Sequence, residues 1–252
     1  MLGKERREAI KEYIQNCGKV TVLDLSKRWD VTEETIRRDL DKIEAQNFIT
    51  RIHGGAIWNI GSQIEGVHFY SRRAQNYEAK LQIAKIAADL FKKKTTILAD
   101  SSSTVVETLK TISINPDVIV VTNSVEIYQE LNDARCMIIS TGGTYNKKSL
   151  SFQDTLAMEN IRKYNVELAL ISCKGLDIEK GILDSYESEA EVKKVMLNQA
   201  KEVALLVDHS KFNQSAFLQL TDLNKINYII TDKKPDEKWV EYCKTNGIKL
   251  IF

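Results

Sequence analysis

The spacing of apolar residues divides the chain into two parts with different periods. In the first 57 residues, apolar positions recur at intervals of three to four, as they do on the buried face of a short amphipathic helix. Gly18 ends the first of these stripes, and Asp30-Val31 ends the second. The pattern predicts three short helices, whose stripes are Ile10, Ile14 and Cys17, then Leu25 and Trp29, then Ile36, Leu40 and Ile43.

The third predicted helix has a clear start signal and is followed by a hairpin pattern. Thr32 is well placed as an N-cap, and Glu33 and Glu34 fall in the first turn, where the helix dipole favours acidic side chains. After the helix, FITRIHGGA alternates apolar and polar residues around Gly54-Gly55, which predicts a two-stranded wing. Three helices and a wing indicate a winged helix-turn-helix, in which the third helix enters the major groove of DNA.

The predicted DNA contacts lie on the polar face of the third helix and on the wing. The apolar stripe turns Arg37 and Arg38 away from the core, and an arginine can bind a guanine edge or a phosphate. Glycine lets the wing backbone approach DNA closely. The alternative is a small helical interaction domain whose arginines are only solvated. The predicted DNA-binding set is Thr32, Glu33, Thr35, Arg37, Arg38, Lys42, Arg51, His53, Gly54 and Gly55.

The second part of the chain has the pattern of an α/β domain. Residues 58–76 show no clean period and are predicted to be a linker, which leaves 1–57 and 77–252 as the two domains. Beyond an amphipathic helix that starts at Tyr77, short β-branched runs alternate with helical segments. Such runs predict a mostly parallel sheet covered by helices on both faces. The runs are 95–100, 117–123, 136–141, 166–173, 202–208, 227–232 and 248–252.

Polar and glycine residues follow nearly every predicted strand. In an open α/β sheet the carboxyl edge is where ligands bind, because helix N-termini and loop amides meet there. Residues 102–104 open a helix and suit a phosphate, Lys211 adds a positive charge, and Asp100, Asn123 and Asp177 suit sugar hydroxyls. Each loop alone also fits ordinary helix capping, so it is their number that favours a small-molecule site. The predicted ligand-binding set is Asp100, Ser101, Ser102, Ser103, Thr104, Thr122, Asn123, Ser124, Gly142, Gly143, Lys174, Asp177, Asp208 and Lys211.

Composition narrows the classes of function. The formal net charge is +1, so any DNA-binding charge must come from arrangement and not from excess. The four cysteines form no CxxC pair and do not cluster with the three histidines, so we expect no metal, no cofactor and reduced thiols. The charged start lacks the apolar core of a signal peptide, and no apolar run could span a bilayer. We expect a soluble cytoplasmic protein with no membrane partner.

Two groups of motifs resemble one known family. TIRRDL at Thr35–Leu40, followed by RIHGGA at Arg51–Ala56, resembles the N-terminal signature of the DeoR family of bacterial transcriptional regulators. The order DSSST, VTNS, TGG, SCKGLD, SEAEVK and DHSKF is similar to that family's sensor domain, whose fold is similar to that of ribose 5-phosphate isomerase. The resemblance covers nearly the whole chain. It implies a homo-oligomeric regulator, a dimer or tetramer, that binds double-stranded operator DNA and represses a sugar-metabolism operon until a phosphorylated sugar binds.

The chain departs from the family pattern at three places. Ser102-Ser103 stand where the family often has Gly-Thr, Asp154 where it often has Gly, and His209 where it often has Ser. The first departure affects how closely the backbone can approach a phosphate. An alternative from another class is a sugar-phosphate isomerase that uses Asp100, Asp177, Glu189 or Lys211 as acid and base. The winged helix and the lack of an extended glycine-rich loop count against an enzyme.

Overall fold

The chain forms two units, each with its own buried core. The computed structural model describes residues 3–44, 48–58, 67–112, 115–131 and 134–252. The first unit comprises Met1–Tyr77 with Lys147–Ser149, and the second comprises Glu78–Asn146 with Leu150–Phe252. Each unit contains its own cluster of buried apolar residues.

The first unit contains the three predicted helices and a small antiparallel sheet. The helical stripes are confirmed, because Ile10, Ile14, Leu25, Ile36 and Leu40 are fully buried. Only the last member of the first stripe, Cys17, is exposed. The elements are α1 (Gly3–Cys17), β1 (Lys19–Thr21), α2 (Val22–Trp29), α3 (Glu33–Glu44), β2 (Ile49–Ile52) and β3 (Gly55–Trp58).

The wing has one strand more than the sequence predicts. β3 pairs with β2 as expected and also with β1, which gives the strand order β1-β3-β2. β1 has only three residues, too few to show an alternating pattern. The third strand ties the wing to the start of α2, where Val22 N–H donates a hydrogen bond to Gly54 O across 2.7 Å.

Part of the predicted linker is a helix. Val67–Ala74 forms α4, which packs against β2 of the first unit. Phe69 is fully buried and Tyr70 nearly so, and two adjacent buried aromatics give no helical period. The linker prediction is therefore corrected for these residues, and residues 59–66 lie outside the described part of the chain.

The second unit is built on a parallel sheet of seven strands. Each of the seven predicted runs supplies one strand, and every neighbouring pair is parallel, so the predicted sheet is confirmed. Two small antiparallel sheets, β7-β8 and β10-β11-β13, were not predicted, because their strands do not lie in long apolar runs like those of the large sheet. The elements are α5 (Tyr77–Phe91), β4 (Thr96–Ala99), α6 (Ser103–Ile112), β5 (Ile119–Thr122), α7 (Glu126–Glu130), β6 (Met137–Ser140), β7 (Thr144–Asn146), β8 (Ser151–Gln153), α8 (Thr155–Ile161), β9 (Val166–Ile171), β10 (Gly175–Asp177), β11 (Gly181–Asp184), α9 (Glu187–Asn198), β12 (Ala200–Leu206), β13 (Leu218–Thr221), β14 (Tyr228–Ile230), α10 (Glu237–Thr245) and β15 (Lys249–Ile251).

The strand order of the large sheet reverses between β4 and β9. The order is β15-β14-β12-β9-β4-β5-β6, so the chain proceeds from β4 towards one edge and later from β9 towards the other. At such a reversal the loops after the two central strands diverge and leave a crevice at their carboxyl ends. Within the described residues, every helix is too short or too polar to cross a bilayer, and no His/Cys/Asp/Glu group could hold a metal.

Candidate functional site

The outer face of α3 exposes the two arginines of the predicted DNA contact. The side chains of Arg37 and Arg38 are 49% and 74% exposed. Arg37 Nη2 donates to Glu33 across 2.7 Å, and Arg38 Nε donates to Glu34 across 3.1 Å. Such pairs, four residues apart on a helix surface, are worth only about 0.3–0.5 kcal/mol, so a DNA phosphate can replace the carboxylate.

The start of α3 follows the predicted capping pattern. Thr32 Oγ1 accepts a hydrogen bond from the Thr35 backbone N–H across 3.2 Å, which confirms the N-cap. Thr32 and Glu33 are exposed, as is Lys42 at the other end of the helix, while Thr35 is half-buried. All the helical members of the predicted DNA-binding set thus lie at the surface or at its edge.

The sequence pattern did not identify the residue that anchors α3 to α1 by hydrogen bonds. Asp39 lies inside the TIRRDL motif and is 4% exposed. Its carboxylate accepts hydrogen bonds from Arg6 Nε across 2.7 Å and from Arg7 Nη1 across 3.4 Å, both on α1. Asp39 follows buried Ile36 by three residues and so lies on the apolar side of the helix. An acidic residue at such a position could have indicated a buried ion pair from the sequence alone.

Arg51 lies along α3 and does not project from the wing. Its Nη1 donates to the carbonyl oxygen of Arg37 and to Asp41 Oδ1, each across 2.9 Å, and its backbone N–H donates to Glu44. The side chain is 24% exposed. This placement joins the wing to α3, which differs from the free phosphate contact that the sequence predicts.

The tip of the wing is His53-Gly54, one residue earlier than predicted. Both residues are exposed, and Gly54 has φ +78°, the left-handed region that favours glycine. Gly55 is buried in β3, where a Cβ would lie 2.0 Å from Val20 O, so it serves strand packing and not a DNA-facing surface. The His53 ring stacks on Tyr77 with 3.9 Å between centroids.

In the second unit a buried ion pair lies at the carboxyl ends of β4 and β9. Lys193 Nζ is 2.7 Å from Asp184 Oδ2 and 2.9 Å from Ser172 O, and 3.4 Å from Asp100 Oδ2. Of these, the sequence predicts only Asp100. Lys193 occupies a buried position of α9 three residues before Met196, and a lysine on an apolar face was the signal.

The electrostatics of this cluster keep the pair ionised. Burial alone would lower the pKa of Lys193, but the carboxylates of Asp184, Asp100 and Glu189 outweigh it and raise the pKa. Burial would raise the pKa of Asp184, and Lys193 outweighs that effect, so the pKa is lowered. The ammonium group is therefore a permanent positive charge beneath the crevice.

Asp100 uses its carboxylate to hold the loop before α6. Its Oδ1 accepts from the Ser102 backbone N–H across 2.8 Å, and its Oδ2 accepts from Ser102 Oγ and Ser172 N–H. Asp100 therefore shapes the strand ends and does not present a free acceptor to a sugar. α6 begins at Ser103, and Ser101, Ser103 and Thr104 are buried while Ser102 is half-buried.

The loop after β5 carries polar atoms without partners. Thr122 Oγ1 donates to Ala99 O and accepts from Ser124 N–H. Asn123 Nδ2 donates to Phe152 O across 3.0 Å. Within the described residues, Asn123 Oδ1 and Ser124 Oγ are buried and reach no hydrogen-bond partner. A ligand or a water molecule can supply the hydrogen bonds that such buried polar atoms lack.

The Gly142-Gly143 loop is held from α8. Gly143 has φ +111°, and a Cβ there would lie 2.6 Å from Gln153 O. The Asp154 carboxylate accepts hydrogen bonds from the backbone N–H groups of Thr144 and Leu156, each across 2.9 Å. Asp154 itself has φ +91° and ψ −177°, a region that is nearly restricted to glycine. The loop is thus fixed by a residue in a strained conformation.

The loop after β9 carries Cys173 and Lys174, and the turn after β12 carries Lys211. Burial raises the pKa of Cys173 to about 12, and the charges of Lys193, Lys211 and Asp100 also act on this thiol. Lys211 follows the carboxyl end of β12, the strand that pairs with β9. The Lys174 charge acts in turn on Asp184.

Two members of the predicted ligand set stabilise local turns. Asp177 Oδ1 accepts from the backbone N–H groups of Glu179 and Lys180, each across 2.9 Å, in the turn between β10 and β11. Asp208 is buried, and its Oδ1 accepts from Ser210 N–H at the start of a 3-10 turn that carries Lys211. These carboxylates shape the loops, as the capping alternative expects.

Family models match both units. A model described as a DeoR-like helix-turn-helix domain matches residues 6–60, and one described as a DeoR C terminal sensor domain matches residues 75–233. The chain belongs to the DeoR family of transcriptional regulators. It is a DNA-binding regulator with a sensor domain, and the predicted class and fold are supported over the isomerase alternative.

Curated relatives match nearly the whole length of the chain. The chain is 36% identical to the HTH-type transcriptional regulator YulB of Bacillus subtilis, over 99% of this chain and 96% of that protein. It is 33% identical to the L-fucose operon activator of Haemophilus influenzae, over 98% of this chain and 99% of that protein. It is 32% identical to the HTH-type transcriptional repressor GlcR of Bacillus subtilis, over 100% of this chain and 96% of that protein.

Solved structures show more distant likeness. The sorbitol operon regulator SorC of Klebsiella pneumoniae aligns with a TM-score of 0.41 at 13% identity, over 94% of this chain and 97% of that one. Ribose 5-phosphate isomerase A of Methanocaldococcus jannaschii aligns with a TM-score of 0.41 at 17% identity, over 55% of each chain.

Proposed function

We propose that this regulator represses a sugar-metabolism operon and that a phosphorylated sugar, bound in the crevice between β4 and β9, releases it from double-stranded operator DNA. The observation that carries the proposal is that Lys174, Lys211 and the N-terminus of α6 follow β9, β12 and β4, three neighbouring parallel strands, and so share one edge of the sheet. Two lysines and a helix N-terminus together suit a phosphate.

The names of the relatives support a sugar as the rest of the effector. One relative is an L-fucose operon activator and another is the repressor GlcR, so both signs of regulation occur among similar proteins. We assign repression here, and a reporter gene under the operator measures the sign directly. Loss of the regulator raises reporter expression if the assignment is right and lowers it if the protein is an activator.

The proposed DNA interface combines α3 with the tip of the wing. Arg37 and Arg38 contact bases and phosphates in the major groove, with Thr35 and Lys42 beside them, and His53-Gly54 reaches the backbone. The exposure of both arginines supports this assignment. A homo-oligomer, dimer or tetramer, would place two such units on paired half-sites of chromosomal DNA in the cytoplasm.

Control of DNA binding requires that the effector distinguish two states of the protein. A ligand shifts an equilibrium only by the difference between its affinities for the two states. The crevice lies at the point where the sheet order reverses, so it is lined by loops from β4–β5 on one side and β9–β12 on the other. A ligand that contacts both groups of loops favours whichever arrangement brings them together.

A thermal-shift screen tests the phosphate site. The probes are glucose 6-phosphate, ribose 5-phosphate and dihydroxyacetone phosphate, each compared with its unphosphorylated counterpart. A phosphorylated sugar should raise the melting temperature and the free sugar should not. Lys211→Ala should weaken binding by roughly 10- to 100-fold and still bind operator, because one charge-assisted hydrogen bond is worth about 1.5–3 kcal/mol.

Lys201 supplies the matched control. It is exposed at the amino end of β12, whereas Lys211 follows the carboxyl end of the same strand. Lys201→Ala removes the same charge and should respond like the parent. Stabilisation by free sugars alone, or a Lys211→Ala variant that responds like the parent, would contradict the proposed site.

A further inference from the structure

We propose that Glu189 is a further effector-binding residue, whose carboxylate accepts hydrogen bonds from hydroxyl groups of the sugar. The inference rests on the proposed function and adds how the sugar part of the phosphorylated ligand would be bound. Glu189 lies in the first turn of α9 and is 7% exposed. Among the described residues, no hydrogen bond or ion pair within 4.0 Å reaches its carboxylate.

Glu189 is mostly buried, and its carboxylate oxygens, which receive no hydrogen bond from the described residues, are not fully enclosed by the protein. Removing a charged group from water is costly unless hydrogen bonds or an ion pair replace the water, so buried carboxylates are nearly always paired. Helix-dipole stabilisation explains an acid in a first turn but does not require burial. Glu187, in the same turn, is exposed and can serve the dipole. Burial of Glu189 therefore requires another explanation.

The position of Glu189 points to the crevice. It precedes Lys193 by one helical turn, so both side chains lie on the same face of α9. Lys193 reaches Ser172 O and Asp100 at the ends of β9 and β4. The Glu189 charge is one of three that act on Lys193. Its carboxylate is therefore beside the strand ends that form the proposed effector site.

The charge balance of the cluster indicates which part of a ligand would bind there. One ammonium group, Lys193, faces the three carboxylates of Asp100, Asp184 and Glu189. Asp100 and Asp184 each accept backbone N–H donors in addition to Lys193, whereas Glu189 accepts none among the described residues. An excess of negative charge repels phosphate and attracts hydroxyl donors. Glu189 therefore fits the polyol part of a sugar phosphate, away from Lys211.

The test is Glu189→Gln in the full-length protein, with Glu191→Gln as a control. Glutamine keeps the size of the side chain and removes the charge. Glu191 lies on the same helix, but its side chain is 47% exposed and pairs with Lys194 across 2.7 Å. The probes are inorganic phosphate and the sugar phosphate of the screen that most stabilises the parent.

Glu189→Gln should weaken binding of the sugar phosphate by about 10-fold and leave binding of inorganic phosphate unchanged. It should also raise the melting temperature of the ligand-free protein, because it removes one of three like charges from a buried cluster. Glu191→Gln should match the parent in both measurements. A purely structural role for Glu189 would instead lower the melting temperature of the ligand-free protein.

The possible failures are distinguishable. If the parent responds to a sugar phosphate and Glu189→Gln binds it equally well, the Glu189 inference is wrong and the proposed function stands. An equal loss for sugar phosphate and inorganic phosphate, with a lower melting temperature, also overturns the inference. If the parent responds to no sugar phosphate, the proposed function is wrong, and the role of Glu189 is wrong with it.

Discussion

Arg51 of the wing donates a hydrogen bond to Asp41 of α3 across 2.9 Å, so the wing and the helix beside it are joined by a side chain. We expect Arg51→Ala to weaken operator binding to a similar degree on all sequences and to reduce stability by about 1 kcal/mol. The slope of log affinity against log salt should not change, because Arg51 is held by the protein. Fluorescence anisotropy at several salt concentrations measures this slope.

Asp41→Asn provides the second arm of that experiment. It removes the negative charge of one of the two Nη1 partners of Arg51 and leaves the Arg37 carbonyl in place. It should therefore reproduce part of the loss. A salt slope that falls by about one unit in Arg51→Ala would place this arginine on a phosphate, as the sequence alone predicts.

The two exposed arginines of α3 should carry most of the operator affinity. Replacing both Arg37 and Arg38 with Ala should abolish specific binding, because one bidentate contact to guanine is worth about 1–3 kcal/mol and phosphate contacts add to it. The melting temperature should stay close to that of the parent, because the lost ion pairs are exposed. Electrophoretic mobility shift and thermal denaturation measure the two properties.

A control must separate a specific contact from the loss of two positive charges. Lys233 and Lys238 are exposed in the second unit, and replacing both with Ala changes the net charge by the same amount. That variant should bind operator like the parent. If the Arg37/Arg38 variant also binds like the parent, the DNA-binding face lies elsewhere.

Asp154 should stabilise the sensor domain in a pH-dependent way. Hydrogen bonds from the Thr144 side chain and from backbone N–H groups lower its pKa. A carboxyl group whose pKa is lowered by folding adds stability above its unfolded pKa and loses it as pH falls through the folded pKa. Asp154→Asn should therefore melt below the parent at neutral pH, and the difference in melting temperature should begin to narrow as pH falls below about 4.

The strain at Asp154 gives a second comparison. With φ +91°, the position suits glycine better than any residue with a Cβ. Asp154→Gly and Asp154→Ala both remove the carboxylate, but only the glycine variant also relieves the backbone. The glycine variant should melt at the higher temperature of the two, and equal melting temperatures would show that the backbone is not strained.

Lys193 should be the most sensitive buried residue of the sensor domain. Lys193→Met leaves Asp184 and Asp100 buried without their cation, which costs about 3–5 kcal/mol. Lys194→Met removes the same charge from a side chain that is 41% exposed, and should change stability by less than about 0.5 kcal/mol. Urea denaturation followed by circular dichroism compares the two variants.

The stability that the Lys193–Asp184 pair contributes depends on pH, because folding shifts the pKa values of both groups. The raised pKa of Lys193 makes its contribution fully present below the unfolded pKa and lost as pH rises through the folded pKa. The lowered pKa of Asp184 makes its contribution present above the unfolded pKa and lost as pH falls through the folded pKa. The stability difference between parent and Lys193→Met should be largest between these limits. A difference that does not change with pH would show that packing, not charge, accounts for the loss.

Periodicity was sufficient to predict the main elements of both units. Ile36 and Leu40 place α3, and every apolar run of the second part became a strand of one sheet. These signals are local, because each element is amphipathic or apolar within its own length. β1 has only three residues and lies outside any apolar run, so neither a period nor a run marks it.

The details of the site depend on pairings between distant parts of the chain. Lys193 and Asp100 come from different elements, and no local pattern shows that the lysine is buried beside the aspartate. Asp100 itself was placed at the correct strand end, but its hydrogen bonds to the protein were not visible in the sequence. Arg51 was likewise found by its motif, and its contact with Asp41 only by the fold.

The order of the two units along the chain has a consequence during translation. The winged-helix unit ends near Tyr77, and Lys211 follows 134 residues later (211 − 77). Chains are synthesised at about 5–20 residues per second, and domains fold as they emerge from the ribosome. Roughly 7 to 27 s therefore separate the synthesis of Tyr77 from that of Lys211. Through that interval the nascent polypeptide already carries a folded arginine-bearing helix, while part of the sensor domain has yet to be synthesised.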